Sequence, residues 1–129
     1  VKERLQPNEQ KAVLEFLDLL QRHHPERMLQ TVLFGSKARG DSRYWSDIDI
    51  LIIVDQDDWR FSHAISDLAA DVSLEYDVLI GPRVIGQERW ERMKEHSLGL
   101  YRNIIAEGIP LAPEPAPPFS NPPNGGPAS

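Results

Sequence analysis

Apolar residues along this chain recur with two periods, and stretches of one period give way to stretches of the other. Val13, Leu14, Leu17 and Leu20 repeat at helical spacing behind Asn8, a good N-cap residue, which predicts a helix from 8 to about 23, ended by Pro25. Residues 29–34 (LQTVLF) read as a strand closed by Gly35. Ser36 then stands where an N-cap would stand, with one short helical turn over 37 to about 41. The run 48–54, rich in β-branched residues, is the clearest strand. Phe61, Ala64, Ile65, Leu68 and Ala69 repeat at three and four and give a second long helix. Residues 75–80 (EYDVLI) read as a third strand, ended by Gly81 and Pro82, and helices near 87–95 and 98–107 follow, with Gly108 as a C-terminal stop. This order predicts a small α/β domain, a mixed sheet of three or four strands flanked by helices.

After Leu111 the pattern stops. Residues 112–129 (APEPAPPFSNPPNGGPAS) hold seven of the eleven prolines and a single aromatic residue, Phe119. Such a segment cannot bury enough apolar surface to offset its ordering entropy, so a disordered, solvated tail with polyproline II character is expected. A docking arm for an aromatic groove is the other reading. The folded domain is therefore expected at 1–111 and the tail at 112–129. A chain of 129 residues with 40 % hydrophobic content suits one domain with a small core.

The charge narrows the chemistry. A net charge of −6 argues against general affinity for nucleic acid, which needs clustered Lys and Arg, so direct nucleic-acid binding is not expected. It leaves room for a nucleotide substrate, because a triphosphate can be held through metal ions by carboxylates. With no cysteine, a disulfide framework and a thiolate metal site are both impossible. No run is long enough for a membrane span, and VKERLQPNEQ has no apolar core of a signal peptide, so a cytoplasmic protein is expected.

The candidate chemistry lies in GSKARGDSRYWSDIDI, residues 35–50. In a strand, positions i and i+2 face one side, roughly 6.5–7 Å apart, so Asp47 and Asp49 present two carboxylates from one face while Ile48 and Ile50 point to the other. Two such carboxylates can hold Mg²⁺ in phosphate chemistry. The ordinary alternative is a half-buried strand with its polar face wet. A third acid, Asp77, lies in the apolar run 75–80, where an unpaired carboxylate is costly to bury. If that strand neighbours 48–54, all three carboxylates converge, with Glu75 the competing candidate. Gly35-Ser36 can seat a phosphate, because Gly permits close backbone approach and a following helix start offers free N–H groups. Neither GxxxxGK[ST] nor GxGxxG occurs.

The run Gly35-Ser36-Lys37-Ala38-Arg39-Gly40, followed by Ser46-Asp47-Ile48-Asp49-Ile50, resembles the signature of the DNA polymerase β-type nucleotidyltransferase superfamily. In detail it is similar to the minimal nucleotidyltransferases, small stand-alone prokaryotic proteins that include MntA-like antitoxins paired with HEPN toxins. The resemblance extends to Tyr76-Asp77-Val78 and to the closing segment from Tyr101-Arg102-Asn103-Ile104 to Glu107-Gly108-Ile109-Pro110. It implies a small polymerase β palm-like fold and transfer of a nucleoside monophosphate, AMP from ATP first, to a hydroxyl acceptor. The acceptor it implies is a tyrosine of a HEPN partner in a hetero-oligomer, with a homo-oligomer as the other assembly. It implies two Mg²⁺ ions at Asp47 and Asp49, with Asp77 sharing the first metal and helping to activate the hydroxyl, and Gly35 and Ser36 on the β- and γ-phosphates. The competing functions are a non-catalytic antitoxin that neutralises its partner by binding, and adenylyl transfer to a small molecule.

Other residues are left between two readings. Arg39 either touches a phosphate or pairs with a nearby carboxylate and braces the loop. Lys37 is expected in solvent. Tyr44 and Trp45 either stack on a base or pin the loop to the core. Trp90, Met93, Leu100 and Ile104 are expected in the core or on a partner face.

Overall fold

The computed structural model describes residues 5–40 and 46–111. Tyr44, Trp45 and the proline-rich tail lie outside them. The elements run α1 (Pro7–His23), β1 (Met28–Phe34), α2 (Ser36–Arg39), β2 (Ile48–Val54), α3 (Trp59–Tyr76), β3 (Ile80–Gly86), α4 (Gln87–Glu95), α5 (Gly99–Glu107) and β4 (Ile109–Pro110). The strands form one mixed sheet in the order β3-β2-β1-β4. β1 pairs antiparallel with β2 and β4, whereas β2 and β3 are parallel, which is why a helix, α3, has to join them.

Strand β2 explains the layering. Ile48 and every residue from Ile50 to Val54 are buried, so both faces of this central strand are covered. Ile48, Ile50, Ile52 and Val54 pack against α1 and α3 through Phe16, Leu20, Phe61, Ile65 and Val72. Leu51 and Ile53 face the other way, onto Ile85, Trp90, Met93 and Ile104 of β3, α4 and α5. Trp90 meets Tyr101 with ring centroids 5.1 Å apart, and Leu100 packs against the same cluster, so Trp90, Met93 and Ile104 are core with Leu100 at its margin.

Two helix starts differ from the sequence expectation. α1 begins at Pro7 with Gln6 as N-cap, because the Glu9 carboxylate reaches back to the Gln6 N–H at 2.8 Å. Asn8 instead donates its side-chain amide to the Tyr76 carbonyl, tying α1 to the end of α3. In α2 the N-cap is Gly35, one residue before Ser36.

The largest displacement concerns the third strand. Residues 75–80 are not a strand: α3 continues to Tyr76, since Ala69, Val72 and Ser73 prolong its buried stripe. Asp77 ends the helix in the left-handed region, φ 56° and ψ 49°, a conformation that short polar side chains tolerate. The N–H groups of Asp77 and Val78 both donate to the Ser73 carbonyl. The Ser73 hydroxyl then accepts from the Ile80 N–H at 3.0 Å, and β3 starts there, five residues later than expected. The strand runs straight through Gly81 and Pro82. Proline is compatible with it because β3 is an edge strand, where a missing outward N–H breaks no ladder. At its far end the Gly86 N–H donates to the Asp57 carboxylate at 2.7 Å.

Lys37 is not in solvent. Its ammonium is 2.6 Å from Glu9 Oε2, with the two side chains only 2 % and 6 % exposed, so a buried ion pair joins α2 to the first turn of α1. Removing one partner strands a buried charge, which typically costs 3–5 kcal/mol, whereas replacing both by apolar groups is often nearly neutral. Lys37→Met is therefore expected to lower unfolding free energy in urea by about 3–5 kcal/mol. A double Lys37→Met/Glu9→Leu variant should recover all but about 1 kcal/mol, the value of the lost Gln6 cap.

Candidate active site

The site is built where α4 and α5 leave the sheet's second face free. Asp49 is the second residue of β2 and points, like Leu51 and Ile53, toward the α4 and α5 side. Those helices cover the far end of the strand. Near its start, Asp47 is exposed and Asp49 half-buried.

Two glycines flank Asp49. In register, Asp49 lies opposite Phe34 on β1 and opposite Gly81 on β3. Gly35 follows Phe34 with φ +78° and ψ −156°, a region almost confined to glycine. A methyl group at Gly35 would overlap Asp49 Oδ2, so the absence of a side chain is what lets the loop pass against this carboxylate. On the other side, a methyl group at Gly81 would lie 3.5 Å from Asp49 Oδ1 and 4.0 Å from Asp47 Oδ2. Both carboxylates thus converge on one point above Gly81. Burial is the main cause raising the Asp49 pKa above the ordinary carboxylate value, with the Asp47 charge adding to it; Arg83 and Arg39 oppose the rise.

Immediately after Gly35, Ser36 opens α2, a single turn held by Arg39 N–H to Gly35 carbonyl at 3.0 Å and Gly40 N–H to Ser36 carbonyl at 2.9 Å. Gly40 closes it in the left-handed conformation. Arg39 leans to the far edge and meets Glu107, the last residue of α5, at 3.4 Å. That contact favours the bracing reading of Arg39, while its charge still reaches Asp49.

Of the residues singled out from sequence, Gly35, Ser36, Arg39, Asp47 and Asp49 come together. Asp77 does not join them. It caps α3, in the layer with α1, and borders a cleft with Gln6, Asn8, Ser46 and Val78. Glu75 sits on α3 beside Glu15, whose charge raises its pKa. Among the described residues no group of three or more His, Asp or Glu is placed to hold a metal. The sequence reading missed Gly81 and Arg83, which face the aspartates from β3. The signal was present as alternation in residues 80–85, hidden by the Gly-Pro pair.

As donors, Asp47 and Asp49 fit a hard divalent cation that also takes phosphate oxygens, since such ions use one or two carboxylates plus substrate. They do not by themselves make a closed metal cage.

The chain matches the family described as "Nucleotidyltransferase domain" over residues 13–111. A Methanocaldococcus jannaschii protein named "Putative protein adenylyltransferase" is 40 % identical over 101 residues, which cover 78 % of this chain and 95 % of that protein. Among solved structures, a toxin–antitoxin complex with AMP-PNP aligns with a TM-score of 0.55 at 17 % identity, over 81 % of this chain and 72 % of that chain. A mutant MntA-HpeT toxin–antitoxin structure aligns with a TM-score of 0.53 at 20 % identity, over 77 % and 70 %. At these identities the structural likeness is one of fold. A family match spanning the two glycine-flanked carboxylates and both helical layers, with a relative covered almost end to end, makes this chain a member of the nucleotidyltransferase domain family.

Proposed function

We propose that this nucleotidyltransferase moves AMP from ATP, with Mg²⁺, onto a hydroxyl group of a partner protein and releases pyrophosphate. The observation that carries the reading is the convergence of Asp47 and Asp49 beside the Gly35-Ser36 turn. Asp47 and Asp49 would hold the cation. Ser36 and the N–H groups around Gly35 would hold the β- and γ-phosphates, and Arg39, tethered to Glu107, would add positive charge at their edge. When bound, the cation would neutralise phosphate charge and help align the displacement. The acceptor oxygen bonds to the α-phosphorus, the bond to the bridging oxygen breaks, and the hydroxyl proton leaves to water. Positioning and charge neutralisation carry most of such a reaction, so a domain of this size suffices.

A protein acceptor is supported by the name of the Methanocaldococcus relative, a protein adenylyltransferase. The shallow site agrees with it: Asp47 and Arg83 are exposed, so a second macromolecule can approach the carboxylates. A toxin with a HEPN fold, modified on a tyrosine, is the acceptor we favour. The fold neighbours from toxin–antitoxin complexes, one of them with AMP-PNP, are consistent with that pairing. The test is incubation of the purified chain with its co-purifying partner, α-labelled ATP and Mg²⁺. Label on the partner that vanishes with EDTA is expected, and an unlabelled partner would overturn the reading.

Asp47→Asn and Asp49→Asn are each expected to lower transfer by about 100-fold or more while leaving the protein folded, because each removes a charge that the transition state needs. Melting in the absence of nucleotide should be unchanged or slightly higher, since repulsion within the acidic pair is relieved. Retention of more than about a tenth of the wild-type rate would remove these residues from the role. Rescue of growth by Asp47→Asn against the cognate toxin would point to neutralisation by binding alone.

Gly35→Ala is expected to fail for a different reason. The added methyl meets the Asp49 carboxylate, and the backbone conformation costs any other residue about 1–3 kcal/mol. Both the melting temperature and ATP affinity by calorimetry should fall. Ser36→Ala, with its neighbouring N–H groups intact, should cost only about 1.5–3 kcal/mol of nucleotide binding and no stability.

A further inference from the structure

Strand β3 offers the aspartate pair no acid. On the face that Asp47 and Asp49 share, its register brings up Gly81 opposite Asp49, then Arg83 opposite Leu51. Gly81 is the position from which a carboxylate would reach both aspartates, since its Cβ point lies 3.5 and 4.0 Å from their oxygens. Asp77 lies four residues earlier, outside the strand and on the α1–α3 side. A divalent ion in phosphate chemistry takes one or two protein carboxylates plus substrate oxygens, so Asp47 and Asp49 supply the ligands of one ion, and β3 supplies no further acid for a second.

Arg83 stands where the charge is missing. It is exposed, two residues along the same face from Gly81, and it makes no ion pair with the described residues. Its charge reaches Asp49. A third carboxylate together with a second divalent ion would add a net charge of +1 at this edge, and a guanidinium adds the same. Its planar donors also match phosphate oxygens in pairs.

We propose that this site binds a single divalent cation with its nucleoside triphosphate, and that Arg83 supplies on the β3 side the positive charge of the second cation that Gly81 leaves without a ligand. The inference rests on the nucleotidyl-transfer reading above, and it replaces the two ions implied by the sequence resemblance with one.

The test is Mn²⁺ titration of the full chain with equimolar non-hydrolysable ATP analogue, the free ion being followed by electron paramagnetic resonance. One bound ion per chain is expected. Two bound ions would overturn the inference and leave the nucleotide site standing, whereas no bound ion or analogue would overturn both. Arg83→Gln, an exposed change on an edge strand, should weaken analogue binding on the order of tenfold with one ion still bound, and Arg83→Lys should recover part of it. Unchanged affinity in Arg83→Gln would remove Arg83 from the site. Gly81→Asp meets only ordinary contacts at its Cβ and should raise the count to two. A count that stays at one would show that the missing acid does not belong at 81.

Discussion

Everything at the site depends on the buried ion pair between Lys37 and Glu9. The turn that carries Ser36 is four residues long, and a helix of that length does not hold itself together, because nucleation costs more than its few hydrogen bonds return. The Lys37 ammonium, 2.6 Å from Glu9 Oε2, fixes this turn to α1 from one side. Glu9 is in turn fixed by the N–H of Gln6. From the other side, Gly35 lies directly against Asp49. A flexible loop is thereby held between a rigid helix and a rigid strand. Pre-organisation of this kind matters for a reaction in which alignment and electrostatics supply most of the acceleration.

The sheet explains why the acids sit where they do. The middle of β2 is covered on both faces and admits only apolar side chains. Among the described residues, the start of the strand is covered by α1 and α3 on one face, and on the other Asp47 is exposed and Asp49 half-buried, so charge is tolerated there. Asp49 occupies the border: buried enough for its pKa to rise, open enough to meet a ligand. The same border sets the direction of approach, from the side that α4 and α5 leave free.

Most of the element order was legible because the amphipathic stripes of α1, α3, α4 and α5 and the unbroken run of β2 are strong local signals. Gly35, Ser36, Asp47 and Asp49 were legible as a motif whose spacing the fold preserves. Three things were not. Lys37 looks like any surface lysine until α1 is placed beside it, and no local pattern announces a partner 28 positions away. The end of α3 was misread because the apolar residues after Asp77 imitate a strand, while the feature that stops the helix is a backbone conformation at Asp77. Arg83 was hidden because Gly-Pro normally marks a turn, and only the edge position of β3 makes that pair compatible with a strand.

The outer side of β3 bears on how this protein can meet others. Parallel pairing turns the N–H groups of alternate residues toward β2 and those of Ile80, Val84 and Gly86 away from it, with Pro82 in the same row. Ile80 gives its proton to the Ser73 hydroxyl, Pro82 has none, and Gly86 gives its own to Asp57. Val84 is left between them. An open strand edge normally invites another strand to add to it, and among the described residues this one keeps a single outward donor, at Val84, with its other donors taken up by its own neighbours or absent at proline. Sheet extension through β3, whether by a second copy or by an extended peptide, is therefore disfavoured, and recognition at the mouth of the site falls to side chains.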